Sequence, residues 1–301
     1  MRMAVGDHLL ELPEGRTMGF TIYGDPAGFP VLNCHGGLVS GHDVGPADEL
    51  ARSMNVCIIS PDRPGIHRTD RLVGHGLLPW VHSDLVPLLD HLTVSKIGVM
   101  GWSEGGQYAL AAAFGLVGRV TKCAVIAGCP PLDDPATFRE LNKLDRTLAV
   151  LARRAPRAVR MVAAGNRLLA KHFPKRLLKV SLRGQPDAEV ASVRELGMWF
   201  PTVLGEGAAN SLGVVDEYRA LVAPWRFAPQ DVTSPVRVYQ GTADPLVPES
   251  WGQLLADRIP GSSLALFPGE GHFLALTRRE DVLRWLVERD PNADDAYGVG
   301  S

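Results

Sequence analysis

No apolar run in this sequence is long enough to span a bilayer. The opening MRMAVGDHLLELPEG is broken by Asp7, His8 and Glu11 where a secretion signal would be continuously apolar, so a cytoplasmic location is the expectation. An excess of one charge is also missing. Against 31 Lys and Arg stand 33 Asp and Glu, a formal net charge of −2, so the overall balance does not draw the chain to nucleic acid or to a membrane. Cysteine is sparse, with four residues at 34, 57, 123 and 129. All lie in or beside apolar runs without the CxxC spacing of a metal site, which reads as buried free thiols in a reducing compartment. Cys34 and Cys129 fall at strand ends where they could line a site, but neither reads as a nucleophile. Internal repeats and low-complexity segments are missing too, which excludes solenoid and fibrous architectures. What remains is an ordinary globular protein of 301 residues, 46% apolar, with material for a sizeable core.

Alternation is what the chain does have. LLELPEG followed by RTMGFTIYG reads as a hairpin, and PVLNCHGG, NVCIISPDRPG, KIGVMGWSEGG and KCAVIAGCPP are apolar strand candidates closed by glycine, proline or polar clusters. Helical patterns such as LPWVHSDLVPLLDHL separate them. Strands alternating with helices predict an α/β fold with a mostly parallel, doubly wound sheet whose strand C-termini share one edge, where ligands bind. From Asp134 to Pro229 the pattern turns helical, before VRVYQGTADP and SLALFPGEGH restore strands and TRREDVLRWLVERD closes as an amphipathic helix. The expected organisation is a core over residues 1–133 and 230–290, a helical insertion over 134–229, and a frayed polar tail over 291–301.

The insertion is locally basic. Between positions 139 and 183 thirteen Arg and Lys residues face only Glu140 and Asp145, and Arg153, Arg157, Arg160, Arg167 and Lys171 fall on one helical face. A solvated face balanced by acid elsewhere is one reading; attraction of an anionic substrate, an anionic surface or an acidic partner is the other.

The stretch VMGWSEGGQYALAAA puts Ser103 at the apex of a tight turn between an apolar strand and an alanine-rich helix. Gly101-Trp102-Ser103-Glu104-Gly105 fits G-x-S-x-G, in which small neighbours let a strained serine stand toward a substrate. A serine nucleophile needs a base, an orienting acid and an oxyanion site. His272 in PGEGHFLAL and Asp244 in YQGTADPLVP each follow a late strand, on the same sheet edge as Ser103. The aspartate would hold the imidazole tautomer and stabilise its cation. His35-Gly36-Gly37 closes an early strand, so the N–H of Gly37 with that of Glu104 would receive the oxyanion. His35 is read as holding that loop in shape, and Glu104 as a helix N-terminal carboxylate favoured by the dipole. Trp102, Trp199 and Phe200 are candidates for an apolar pocket wall, with core packing as the alternative.

In order along residues 30–288, HGG, SPDRPG, GWSEGG, GTADPLVP and GEGH resemble the α/β-hydrolase superfamily in its capped form. The resemblance implies a cap between the sixth and seventh strands and a triad of Ser103, Asp244 and His272. It also implies oxyanion donors at Gly37 and Glu104, a structural Asp62-Arg63 pair, and no metal or organic cofactor. The serine departs from the dehalogenases and epoxide hydrolases of this fold, which carry aspartate there. IHRTD after DRPG, and the lack of a proline soon after HGG, also depart from the usual loops. The activity implied is hydrolysis of a carboxylic ester or related acyl compound with an apolar part, through an acyl-enzyme. Carbon–carbon bond hydrolysis, acyl transfer and cofactor-free lyase chemistry use the same triad, and a small-molecule receptor of the same fold is the reading from another class.

Overall fold

The computed structural model describes residues 4–288. The apolar runs become strands β1 (Gly6–Glu11), β2 (Thr17–Gly24), β3 (Phe29–Cys34), β4 (Val56–Pro61), β5 (Ile97–Trp102), β6 (Val120–Ile126), β7 (Val236–Gly241) and β8 (Ser263–Phe267). They form one eight-stranded sheet in the order β1-β2-β4-β3-β5-β6-β7-β8. Antiparallel pairing is confined to β1 with β2 and β2 with β4; the other pairs are parallel. β4 and β5 are buried at every position, as strands covered on both faces must be. Strand order reverses about β3, since β4 lies on one side of it and β5 on the other. The crevice beyond the C-termini of β3 and β5 is therefore the topological switch point, where HGG and the Ser103 turn emerge.

Helices cover both faces. Helices α1 (Asp48–Ser53), α2 (Leu77–Trp80), α3 (Val86–His91) and α4 (Gly105–Gly115) precede or follow the central strands. Between β6 and β7 lie α5 (Pro135–Glu140), α6 (Lys143–Arg154), α7 (Pro156–His172), α8 (Pro174–Ser181), α9 (Asp187–Glu195), α10 (Trp199–Gly207) and α11 (Ser211–Leu221). Then come α12 (Glu249–Arg258), α13 (Leu274–Thr277) and α14 (Arg279–Val287). One apolar cluster joins α2 to α4 and α12 to one sheet face, and a second joins α1, α13 and α14 to the other. A third, with Leu148, Ala152, Val159, Val214, Tyr218 and Trp251, lies within and beneath the helical segment.

The basic stretch differs from its expected form. Pro156 has no N–H to continue α6, so the chain breaks at Ala155 (φ −144°) and restarts with proline at the first position of α7. Arg153 therefore belongs to α6 and donates to the Val222 carbonyl, while Arg157, Arg160, Arg167 and Lys171 belong to α7. Among the described residues no helix is long and apolar enough to cross a membrane. The tail expected over 291–301, with 289 and 290, lies outside the described residues.

Candidate active site

Ser103 sits at φ +57°, a left-handed conformation that costs a residue with a side chain about 1–3 kcal/mol. The glycines around it show why it is held there. A Cβ on Gly101 would collide with the Gly105 carbonyl, and one on Gly105 would collide with the Cys34 carbonyl. Strand, turn, helix and the end of β3 are thus packed backbone against backbone. The Ser103 N–H donates to the Ile126 carbonyl at 2.8 Å, tying the turn to β6.

His272 lies in the loop after β8. Its Nδ1–H donates to Asp244 Oδ2 at 2.8 Å, leaving Nε2 as the free lone pair. The other Asp244 oxygen accepts the N–H groups of Leu246 (2.8 Å) and Val247 (3.0 Å), so this aspartate both caps its turn and holds the imidazole. Burial works against the imidazolium, but the Asp244 charge and hydrogen bond outweigh it and raise His272 above 6.5. The His272 backbone is clamped as well: Trp102 Nε1–H donates to its carbonyl at 2.7 Å, and its N–H donates to Gln185 Oε1 at 3.1 Å. The Glu189 carboxylate accepts the N–H groups of Gly271 (2.7 Å) and Phe273 (3.1 Å). Gln185 and Glu189 come from the helical segment and were invisible to sequence reasoning, since a glutamate in a polar helix looks solvent-facing.

Ser103 and His272 line one cavity of about 380 Å³ without a hydrogen bond between their side chains. Bonds between a serine and a neighbouring imidazole at such sites commonly tighten only when a ligand is bound. Gly37 and Glu104 line the same cavity, and neither backbone N–H has an acceptor among the described residues. Glu104 is buried and Gly37 half-buried, and unpaired N–H groups away from water are rare, so the pair stands out. The loop carrying Gly37 is fixed from behind. Asp43 accepts the Gly36 N–H at 3.0 Å, and the Gly36 carbonyl accepts from His35 Nδ1 (2.8 Å) and Arg63 Nη2 (3.0 Å). Burial, helped by the Arg63 charge, pushes His35 down to about 3, so it is neutral and holds the loop as expected.

Arg63 is fully buried. It bonds the His35 carbonyl and forks onto Glu217 of α11, Nε to Oε1 at 3.0 Å and Nη2 to Oε2 at 2.5 Å. Burial opposes the Glu217 charge, but Arg63 and His75 outweigh it and hold the carboxyl well below its usual range. Sequence reasoning assigned Arg63 a structural role and missed its partner, 154 positions away.

Three expectations change. Glu104 does not behave as a charged helix-end carboxylate. It is 8% exposed and makes no capping bond; its Oε1 has no partner, and its Oε2 lies against Gly37. Burial raises its pKa well above 4.5, Glu217 and Asp145 add to this, and Arg63 only partly opposes it. A helix dipole cannot offset that desolvation. Trp102 and Phe200 line the cavity, but Trp199 does not: its Nε1–H donates to the His42 carbonyl, and its ring borders a separate hollow with Asn33 and Asp43. Adjacent residues on a helix diverge by about 100°, so only one of the two aromatics can face Ser103. Cys129 lines the cavity and Cys34 does not, and burial holds both thiols above their usual range. The IHRTD loop also lies away from the cavity.

Aliphatic residues make most of the wall; its polar members include Asn142, Asn166, Ser181, Arg183 and Asp145, whose Oδ1 accepts the Tyr218 hydroxyl at 2.8 Å. One cluster elsewhere, His42, His67 and Glu206, brings three metal-ligand atoms within 4.8 Å of one another. The hydrogen bond to Glu206, with a second to Asp7, raises His42 to about 9, so its imidazole is a cation pairing the loop after β3 with α10 rather than a free ligand.

The sequence model of the alpha/beta hydrolase family matches residues 32–285, and the chain belongs to that family. Solved structures share the fold at low identity. An esterase from Exiguobacterium antarcticum is 20% identical, with 95% of this chain and 98% of that one covered at a TM-score of 0.68. The enol-lactonase from Burkholderia xenovorans LB400 is 15% identical (93% and 98%, TM-score 0.67), and a bromoperoxidase from Bacillus anthracis is 19% identical (94% and 100%, TM-score 0.68). No curated protein matches the sequence.

Proposed function

We propose that this α/β hydrolase cleaves a carboxylic ester, or a related acyl compound with an apolar part, with Ser103 as nucleophile and residues 134–229 as a cap. The observation that carries the reading is one cavity holding a strained serine, an aspartate-bound imidazole and two unpaired N–H groups. His272 Nε2 takes the Ser103 proton as Oγ attacks the carbonyl carbon. The tetrahedral oxyanion rests on the Gly37 and Glu104 N–H groups. The ester C–O bond then breaks and the alcohol leaves with the proton from His272. Water, deprotonated by His272, hydrolyses the acyl-serine and releases the acid. An esterase among the structural neighbours agrees with this class of bond.

Hydrolysis of p-nitrophenyl esters from acetyl to octanoyl, with intact-mass analysis after a fluorophosphonate, tests the reading. Turnover with a chain-length optimum and a single label mapping to Ser103 is expected. Absence of both, in folded protein, overturns it.

The raised pKa of the Glu104 carboxyl beside Gly37 bears on the pH dependence. An ionised carboxylate against Gly37 would oppose the oxyanion, so kcat/KM rises as His272 loses its proton above pH 6.5 and falls again as Glu104 ionises at higher pH. Glu104→Gln keeps the shape and cannot ionise. Its profile is expected to keep the acid limb and lose the alkaline one; an unchanged alkaline limb would assign it to another group.

A further inference from the structure

One carboxyl of the Ser103 cavity is buried and left without a partner. Among the buried side-chain atoms that lack a hydrogen bond in the described residues, only Glu104 Oε1 belongs to a residue lining that cavity. The other polar side chains of the wall are accounted for. Asn142 Nδ2 and the Tyr218 hydroxyl both donate to Asp145, at 2.6 and 2.8 Å, and His272 is bound to Asp244. Asn166 and Ser181 are half-buried and Arg183 is exposed, so solvent can serve them. Glu104 also has no counter-ion of its own. Arg63, the cation that acts on it, is taken up by Glu217 and by the carbonyls of His35 and Gly36. Buried polar groups are ordinarily hydrogen-bonded, and one left over in a binding cavity calls for a ligand group that completes it.

The place of this carboxyl narrows what that group is. Glu104 carries one N–H of the oxyanion pair, and its Oε2 leans on Gly37, which carries the other: a Cβ on Gly37 would stand 2.6 Å from that oxygen. The carboxyl therefore flanks the position of an ester's carbonyl oxygen, where it meets a group on an atom bonded to the carbonyl carbon. Of the two such atoms, the ester oxygen has no valence for a donor, so the group stands on the α-carbon. An ammonium there would need a charged Glu104, which burial and the nearby Glu217 and Asp145 disfavour. It would also approach against the field of the 139–183 stretch, with its thirteen Arg and Lys against two acids. A hydroxyl meets neither obstacle, because it pairs with a carboxyl in either protonation state.

We infer that Glu104 is a specificity residue that reads a hydroxyl on the α-carbon of the acyl group, so that the preferred substrates are 2-hydroxyacyl esters. The inference rests on the reading of Ser103 as nucleophile and of Gly37 and Glu104 as oxyanion donors. Beyond the α-carbon the wall is aliphatic, with Leu148, Val159 and Leu177, so the rest of the acyl chain is apolar.

The test compares kcat/KM, from titration of the released acid, for the R and S forms of methyl 2-hydroxyhexanoate with that for methyl 2-methoxyhexanoate. The methoxy ester withdraws electrons in the same way but has no O–H, so it separates recognition from intrinsic reactivity. One enantiomer of the hydroxy ester should lead the methoxy ester by about tenfold, the worth of one hydrogen bond. Glu104→Leu should erase that lead. Glu104→Gln, whose amide oxygen still accepts the O–H, should keep most of it. A role confined to packing would slow both esters alike and leave their ratio untouched in Glu104→Leu; that result overturns the inference, as does equal turnover of the two esters by the parent. Faster turnover of methyl 2-aminohexanoate than of either hydroxy ester also overturns it, in favour of a charged Glu104 that reads an ammonium. Calorimetric binding of the same esters to the Ser103→Ala chain needs no turnover. A hydroxyl preference kept there while Ser103 fails to label would remove the hydrolase reading alone, and turnover without the preference would remove this inference alone.

Discussion

Replacing Asp244 by asparagine is expected to lower kcat for p-nitrophenyl acetate by about ten-thousandfold while leaving the fold in place. The reason lies in the two ends of the carboxylate. Asp244 Oδ1 accepts from Leu246 and Val247 N–H, and Oδ2 accepts from His272 Nδ1–H. Asparagine in the same turn keeps its oxygen on the two N–H groups and turns its amide N–H₂ toward Nδ1. That imidazole nitrogen must then accept, the proton moves to Nε2, and the ring can no longer take the Ser103 proton. His272→Ala and Ser103→Ala should fall to a similar floor, and the Ser103→Ala/His272→Ala double variant should be no slower than either, because the groups act as a unit. Steady-state rates decide it. An Asp244→Asn enzyme within tenfold of the parent would mean that another group orients His272.

Glu217→Ala should be the most destabilising single change in the molecule that leaves the cavity wall intact. It strands the Arg63 guanidinium in a fully buried position, and uncompensated buried charges of that kind cost about 3–5 kcal/mol. For a chain of this size that corresponds to a melting temperature lower by roughly 10 °C. Turnover should fall as well, because Arg63 holds the His35 and Gly36 carbonyls behind the Gly37 N–H. Arg63→Met/Glu217→Leu separates the two effects. Removing both charges should recover much of the stability, since a well-packed apolar pair can replace a buried ion pair. It should not recover turnover, since the loop carbonyls lose their donor. Calorimetry and kcat on the three proteins test this; a double variant that regains both would show that the loop needs no anchor.

Gly65 and Gly213 explain how this pair can form at all. A Cβ on Gly213 would collide with the Gly65 carbonyl, so α11 can reach the loop after Arg63 only because both positions are bare. Arg63 stands two residues before Gly65, and Glu217 lies one helical turn beyond Gly213. The sequence contains both glycines, yet glycine signals a close approach without naming what approaches.

Much of the frame was legible because its causes are local. Apolar runs bounded by glycine and proline located the strands, and the glycines around Ser103 announced the strained turn. The break between α6 and α7 was legible too, in Pro156, but reading one charged face through residues 153–171 overlooked it. Which of Trp199 and Phe200 faces the cavity depends on the rotation of α10, set by packing from other elements.

The amino-acid sequence by itself therefore determined the α/β sheet, its helical insertion and the order in which serine, aspartate and histidine reach one edge. Those follow from periodicity, turn chemistry and strand ends, which act over a few residues. Only the tertiary structure decided that Glu104 is buried with its pKa pushed up, that Gln185 and Glu189 clamp His272, and that Glu217 anchors Arg63. Those states depend on desolvation and on partners far away in sequence, and neither quantity exists until the chain has closed around them.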